Sequence, residues 1–590
     1  MSGPESITSA VDKILENLDW ANIPDGRTRQ CIRLLLNLVE TLNAELQKAQ
    51  AENQCLREQR QGRKGGGGPG SGDASGAAGR SSEKERRERS DAGERSQRRK
   101  RSKLDRIPIG REEVLKVDRA TLPPDAEFKG YEDVVVQELR IATDNVKFRK
   151  EKYYSASTGK TYLAPLPVGY DGEYGPTLKS LCLLFSHLGN MTEPKIADVL
   201  ANTGIIISAG QISRILRQAQ ERLQAEKEAI VEAGLSSSPW QHIDDTGTRV
   251  NGQNQHCHVL CNPLYTAYST TARKDRMSVI DVLRNQRERV FRLNDEAYQL
   301  LRQFGVSQAV KEAVQQLPAN QDWTEAELNR RLAEQMPNLG AAAREQVREA
   351  AAIAAYHAET EHPVVRLLVC DDAKQFKLVT EELALCWVHD GRHYQSLEPC
   401  IGQHRAGLEV FREKYWEYYR ALRAYQRAPA PERALELGRQ FDLLFSTLTG
   451  YAALDERIAK TKAKKESLLK VLEHPEIPLH NNPAELGARL RVRKRVVSYG
   501  PRSPAGVKAW DTMETLLGTA KKLGVNFFQY IRDRVSGAKQ MSALAVRIEE
   551  KARTLDLGSF VQFRGAPGLA DMTGYPFKVN RGIGIAKGTP

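Results

Sequence analysis

Nowhere in the 590 residues is there a run of about 18 consecutive apolar residues, which excludes a membrane-spanning helix and leaves no membrane partner to expect. Cysteine is scarce. The eight residues at 31, 55, 182, 257, 261, 370, 386 and 400 contain no C-x-x-C pair, so neither a zinc ribbon nor a disulfide scaffold organises the fold. The first twenty residues, MSGPESITSAVDKILENLDW, carry acids and no apolar signal core, so the expected location is the cytoplasm. Acids are also in deficit: 75 Asp and Glu face 88 Lys and Arg, a net charge of +13. Such a surplus favours an anionic partner, because Lys and Arg that neutralise phosphates release condensed counterions. With 40% hydrophobic and 28% charged residues the chain is globular, and it is too long for one core.

Six segments follow from the pattern. In residues 1–60, Leu35, Leu42, Ala49 and Leu56 recur every seven positions and interleave with Ile32, Val39, Leu46 and Asn53. Branched residues at one seam position, Leu at the other and a single Asn favour a parallel two-stranded coiled coil, hence a homodimer or higher oligomer. Residues 61–110 are rich in Gly and Ser, with fourteen Lys and Arg against seven Asp and Glu, a net of +7. Their composition predicts a basic disordered linker. Residues 111–170 hold short strand-like stretches, Asp133–Val136 and Lys160–Ala164, and predict a small β-containing module. In 171–235, Thr192-Glu193-Pro194 opens one helix and Ser208-Ala209-Gly210-Gln211 caps a second. The pair fits a helix-turn-helix offering Gln211, Arg214 and Arg217 to DNA, or plain helical packing. Residues 536–590 end in Gly-rich basic sequence, read as a tail.

Residues 236–535 carry the acids. Three stretches, Trp240–Thr246, His256–Cys261 and Tyr265–Thr271, read as an antiparallel meander with Asp244 and Asp245 on its first strand. A fourth strand, Val364–Cys370, is almost wholly apolar, as expected of a strand covered on both faces, and ends in Asp371-Asp372. A fifth, Leu383–His389, follows, and His480-Asn481-Asn482-Pro483-Ala484-Glu485 leads into a basic helix. Helical insertions are expected at about 284–355 and 405–473, the second with an aromatic face of Tyr415, Trp416, Tyr418, Tyr419 and Tyr425 suited to core packing. With 75 acids to choose from, spacing alone selects no triple.

A resemblance does select one. Ile243-Asp244-Asp245-Thr246, Leu385-Cys386-Trp387-Val388-His389-Asp390-Gly391-Arg392 and Asn481-Asn482-Pro483-Ala484-Glu485 with Arg489 and Arg491 resemble the signature blocks of DDE transposases of the insertion sequence sixty-six type. Ser503–Gly506 and Thr519–Val525 follow in the same order, and the likeness covers about residues 170–540. It implies a multidomain α+β protein with an RNase H-like, retroviral-integrase-like α/β catalytic core, helical insertions, an N-terminal coiled coil and a helical DNA-binding region. It also implies metal-dependent cleavage and strand transfer of a mobile element's ends in the bacterial nucleoid. Asp244, Asp371 and Glu485 would form the catalytic triad and hold two Mg²⁺ or Mn²⁺ ions; the choice within 244/245 and 371/372 stays open. The partner would be double-stranded DNA, both the element's terminal inverted repeats and its target. Beside the acids, His389, Arg392, Arg489, Arg491, Arg493, Lys494 and Arg495 are candidate DNA contacts. Where the family usually has a Cys-rich segment, Lys147–Pro167 has no cysteine. Two rival readings are a catalytically inactive DNA-binding regulator and a Mg²⁺-dependent nuclease of the same fold.

Overall fold

The structure, a computed structural model, describes residues 26–62, 107–118, 121–170, 172–555 and 557–558. The bulk of the expected linker and the Arg581–Gly584 end of the tail lie outside them. By internal contacts the chain forms two units, one of Met1–Gln54, Pro167–Thr192 and Ser213–Pro590, the other of Cys55–Leu166 and Glu193–Ile212. In chain order the elements begin with α1 (Gly26–Gly62), β1 (Lys152–Ser155), β2 (Lys160–Leu163), α2 (Pro176–His187), α3 (Glu193–Asn202) and α4 (Ala209–Ser236). Strands β3 (Trp240–Val250), β4 (Gln253–Cys261) and β5 (Thr266–Thr271) follow. Then come α5 (Arg276–Leu283), β6 (Phe291–Arg292), α6 (Asp295–Gln303), α7 (Gln308–Gln315), β7 (Asp322–Trp323), α8 (Glu325–Gln335), α9 (Ala341–His357), β8 (Leu367–Cys370) and β9 (Glu382–Leu385). The rest is helical: α10 (Trp387–Gln395), α11 (Gly402–Arg427), α12 (Pro431–Leu444), α13 (Ala452–Lys462), α14 (Lys465–Leu468), α15 (Lys470–Glu473), α16 (Asn482–Ser498), α17 (Pro504–Leu523), α18 (Phe527–Val535) and α19 (Leu544–Ala552). None of the described helices is long and apolar enough to cross a membrane.

In the smaller unit β1 and β2 pair as an antiparallel hairpin. Asp133–Val136 forms no strand, contrary to expectation: Val134 and Val136 are both 78% exposed, so their alternation has no sheet to face. The helix pair expected at 193–211 is present as α3 and the start of α4, with Ser208 Oγ accepting from Gln211 N at 3.2 Å.

The larger unit is built on a five-stranded sheet of order β5-β4-β3-β8-β9. Antiparallel pairing joins β3, β4 and β5, and parallel pairing joins β3, β8 and β9. The β3–β4 turn is Asn251-Gly252, both at positive φ (47° and 80°), the conformation that matches the twist of a two-residue hairpin. The outer edge of β5 is covered by α17, whose residues replace a sixth strand. The backbone N–H groups of Thr266, Tyr268 and Thr270 donate to Thr519 Oγ1, Thr515 Oγ1 and Asp511 Oδ2 at 3.3, 3.0 and 2.8 Å. Two strand residues advance about 6.6 Å and four helix residues about 6 Å, so side chains every fourth position meet every second amide. The edge is thereby closed to pairing with another strand.

Trp387 organises the second helical insertion. Its ring packs on Tyr415, Tyr418, Phe441 and Phe445, and its indole N–H donates to Leu468 O at 2.8 Å. Tyr415, Tyr418, Tyr419, Leu422 and Tyr425 are buried, as a core-packing role requires.

The N-terminal helix α1 docks on this insertion through two short polar side chains one turn apart. Glu40 accepts from Cys400 N, Ile401 N and His404 Nδ1 at 2.9, 3.0 and 3.0 Å, placing a carboxylate at the start of α11. Asn37 Oδ1 accepts from Ala452 N at 2.8 Å, the first residue of α13. Ile32, Leu36 and Val39 pack against Cys400 and Ile401. Ile32 and Val39, expected on a coiled-coil seam, are therefore used inside the chain. The exposed stripe left over is Leu35, Leu38, Leu42, Leu46 and Leu56. In the segment expected as a tail, Leu544 and Ile548 bury one face of α19.

Candidate active site

Strand alternation sorts the acids. The β3–β8 register ends at His242↔Val369, so Asp244 and Asp371, each two residues further on, continue onto one face of the sheet. Asp245 falls on the other, and Asp372 lies in a bend past the end of β8. Asp245 is held by Lys274 Nζ at 2.7 Å and Gln375 Nε2 at 2.7 Å. Asp372 is held by Lys377 Nζ at 2.8 Å and Lys464 Nζ at 2.6 Å. Burial alone would raise the Asp372 carboxyl, but the two lysines outweigh it and hold the group below its ordinary range. Asp244 accepts from Asp245 N at 2.9 Å and Asp371 from Ala373 N at 3.1 Å. Among the described residues, neither has a lysine or arginine partner.

Glu485 reaches the same face through α16. Asp244 pairs across the strands with Val259, so the two side chains share a face. Against that face α16 approaches so closely that a Cβ on Gly487 would sit 2.7 Å from Val259 Cγ1. Asn481, fully buried, fastens the start of the helix. Its Nδ2 donates to Ile243 O at 2.7 Å, its Oδ1 accepts from His242 Nδ1 at 3.0 Å, and its backbone N–H points at Cys386 Sγ at 3.2 Å. Burial pushes His242 down to about 3, so the ring is neutral and its Nδ1–H is the donor. One asparagine thus ties β3, the β9–α10 junction and α16 together.

The three acids act on one another electrostatically, although among the described residues their oxygens do not all lie within 4.8 Å of one another. Burial, and then the charges of Asp371, Glu485 and Asp245, push the Asp244 carboxyl up to about 7 despite the Asp245 amide that favours the anion. Glu485 Oε2 accepts from Arg392 Nη2 at 3.0 Å, while its Oε1 is buried without a hydrogen bond. His389 Nδ1, also buried without a hydrogen bond, faces that oxygen at 3.5 Å. Burial lowers the His389 imidazole, opposed by Glu485 and Asp371. A cluster in which Asp244 and Asp371 have no cationic partner, and Glu485 keeps one carboxylate oxygen without a hydrogen bond, suits hard divalent ions.

The remaining candidates divide. Arg489 and Arg493 are exposed on α16, and Arg214 and Arg217 are exposed on α4, with Gln211 half-buried. Arg495 donates to Gly247 O. Arg491 and Lys494, expected on a DNA track, are instead buried. Arg491 pairs with Asp511 and with Glu514 at 3.0 Å and lies over Tyr268 and Trp510; Lys494 meets Glu514 at 3.6 Å. The reason is periodicity: α16 lies on the sheet, so every third or fourth basic residue faces inward and needs a carboxylate from α17. His389 and Arg392 lie in helix α10, which Cys386 caps, not beyond a strand: β9 ends at Leu385. Sequence reasoning missed Gly487 and the fastening role of Asn481; the Asn-Asn-Pro block marked the place without its partners.

Comparison with known proteins gives this geometry a context. Residues 172–314 match the model of the family described as Transposase IS66 family. A relative from Sinorhizobium fredii (strain NBRC 101917 / NGR234), named Uncharacterized protein y4jO, is 34% identical over 334 residues, which is 55% of this chain and all of that protein. The chain belongs to the IS66 transposase family. The family match covers α2 to α7 and so includes β3 with Asp244, while Asp371 and Glu485 lie beyond it. For an IS66 family member, DNA is the partner to which the basic surplus answers.

Proposed function

We propose that this IS66 family transposase cuts and joins the ends of a mobile DNA element, with Asp244, Asp371 and Glu485 as the carboxylate triad. The observation that carries this is the division within each acid pair. Among the described residues Asp244 and Asp371 have no lysine or arginine partner, whereas their neighbours Asp245 and Asp372 are each neutralised by lysine. The sheet order, three antiparallel strands followed by two parallel ones, supports an RNase H-like core. The three acids and the orphaned Glu485 Oε1 suit two Mg²⁺ or Mn²⁺ ions. When bound, such ions supply activation of the attacking oxygen and stabilisation of the leaving oxygen of an in-line displacement. Asp244 and Asp371 hold them from the sheet, and Glu485 from a helix pinned by Asn481. Arg392 balances Glu485, and Arg489, one turn past it and exposed, meets a phosphate of double-stranded DNA. Arg214, Arg217 and Gln211 at the start of α4 contact the terminal repeats. A transposase must hold two DNA ends, and the exposed stripe of α1, Leu35, Leu38, Leu42, Leu46, Ala49, Asn53 and Leu56, pairs two copies.

The test uses DNA carrying the element's own ends. Asp244→Asn, Asp371→Asn and Glu485→Gln each abolish cleavage and joining while retaining DNA binding, and Asp372→Asn retains cleavage. Substantial cleavage by any of the first three overturns the triad. Binding without cleavage by the unsubstituted protein, given Mg²⁺ and Mn²⁺, favours the regulator reading.

A further inference from the structure

The sulfur of Cys386, a ring nitrogen of His389 and a carboxylate oxygen of Glu485 lie within 4.8 Å of one another. Three features separate this cluster from a chance meeting. First, His389 Nδ1 and Glu485 Oε1 are both buried without hydrogen bonds and stand 3.5 Å apart. Two metal bonds of about 2.0 Å at a tetrahedral angle place their donor atoms roughly 3.3 Å apart, so the pair already spans one edge of a zinc coordination shell. Second, two backbone N–H groups, of His389 at 3.5 Å and Asn481 at 3.2 Å, point at Cys386 Sγ. Amide donors of this kind stabilise a metal-bound thiolate from the outer shell. Third, Cys386 and His389 line a cavity of about 340 Å³, shared with Asp371, Asp372 and His393, which supplies an entry path.

We infer that Cys386, His389 and Glu485 form a second, softer metal site that takes a thiophilic divalent cation such as Zn²⁺, with a water completing the shell. Thiolate sulfur and imidazole nitrogen select Zn²⁺ over Mg²⁺, which prefers oxygen ligands. On binding, the thiol proton leaves to solvent and the imidazole proton resides on Nε2. Arg392 Nη1, now 3.0 Å from that nitrogen, must turn away. The site shares Glu485 with the proposed triad, so a bound zinc ion draws that carboxylate away from Mg²⁺ and makes the cation an inhibitor of the metal centre.

Cobalt serves as the spectroscopic probe. Full-length metal-free protein titrated with Co²⁺ is expected to show an intense thiolate-to-cobalt charge-transfer band that Zn²⁺ abolishes by displacement. Cys386→Ser removes the band, and His389→Ala weakens binding by more than the roughly 10–100-fold typical of an outer-shell change. Asp244→Asn and Asp371→Asn keep it, whether or not they cleave DNA, which separates this inference from the triad. A band that survives Cys386→Ser, or bound cobalt with no such band, overturns the site. X-ray absorption at the zinc edge on the unsubstituted protein needs no variant: one sulfur with nitrogen and oxygen neighbours is expected, and a shell without sulfur refutes the proposal.

Discussion

Asn481→Ala separates a fastening role from mere turn geometry. The substitution leaves the His242 Nδ1–H and the Ile243 carbonyl without their partner in a fully buried setting. Each orphaned group costs about 1–3 kcal/mol, so the variant loses roughly 2–6 kcal/mol. That is a large share of the roughly 5–15 kcal/mol by which a domain is stable. Urea unfolding followed by tryptophan fluorescence reads this directly, because Trp240 and Trp387 flank the fastened strands. Function reports on position. Asn481 lies one turn before Glu485, and Glu485 N donates to Asn481 O at 3.2 Å, so loosening the cap displaces the carboxylate. At a temperature where the variant is folded, the Mn²⁺ concentration giving half-maximal cleavage should rise about 10–100-fold, with a smaller loss at saturating metal. Asn481→Asp keeps an acceptor for His242 and loses the donor to Ile243, so it should fall between. A destabilisation under about 1 kcal/mol, or an unchanged metal requirement in a clearly destabilised variant, refutes the fastening role.

Glu40→Gln removes the charge from the start of α11 and should lower stability by about 1–3 kcal/mol in thermal melts at neutral pH. Burial raises the Glu40 carboxyl, but hydrogen bonds from Cys400, Ile401 and His404 outweigh it and leave the group below its usual 4.5. A depressed folded value means stability present above 4.5 and lost as pH falls through the folded value, so the wild-type advantage over Glu40→Gln should vanish below that pH. Arg491→Met leaves Asp511 buried without its cation and Glu514 with only Lys494, and should cost roughly 3–5 kcal/mol, seen as a lower melting temperature. Exposed Arg489→Ala should instead leave melting unchanged and weaken DNA binding with a shallower salt dependence. Leu42→Glu places a charge on the exposed stripe of α1 and should convert a dimer to a monomer in light scattering, whereas a dimer that persists places the contact elsewhere.

Much of the architecture was legible because its signals are local. The three meander strands, the apolar β8 and the helical insertions announce themselves by periodicity and turn residues, and the buried Tyr415, Tyr418 and Tyr425 follow from an aromatic helix face. Other features depend on partners distant in sequence. Arg491 and Lys494 look like their exposed neighbours Arg489 and Arg493 until α17 is laid across them. Ile32 and Val39 satisfy a heptad, yet Cys400 and Ile401 claim them. Trp387–His389 continues an apolar strand pattern, but Cys386 caps a helix there and turns His389 toward Glu485. The acid pairs were undecided for the same reason: Asp244 differs from Asp245, and Asp371 from Asp372, through Lys274, Lys377 and Lys464, which no local pattern connects to them.

The proposed site holds its metal ion between Asp244 and Asp371, the two acids without a lysine partner. Anomalous scattering from Mn²⁺ in crystals of the protein bound to DNA ends measures this most directly. A peak within bonding distance of Asp244 and Asp371, with Glu485 adjoining, is the expected result. A peak at Asp245 or Asp372, or an active complex with no manganese near Asp244 and Asp371, contradicts the account.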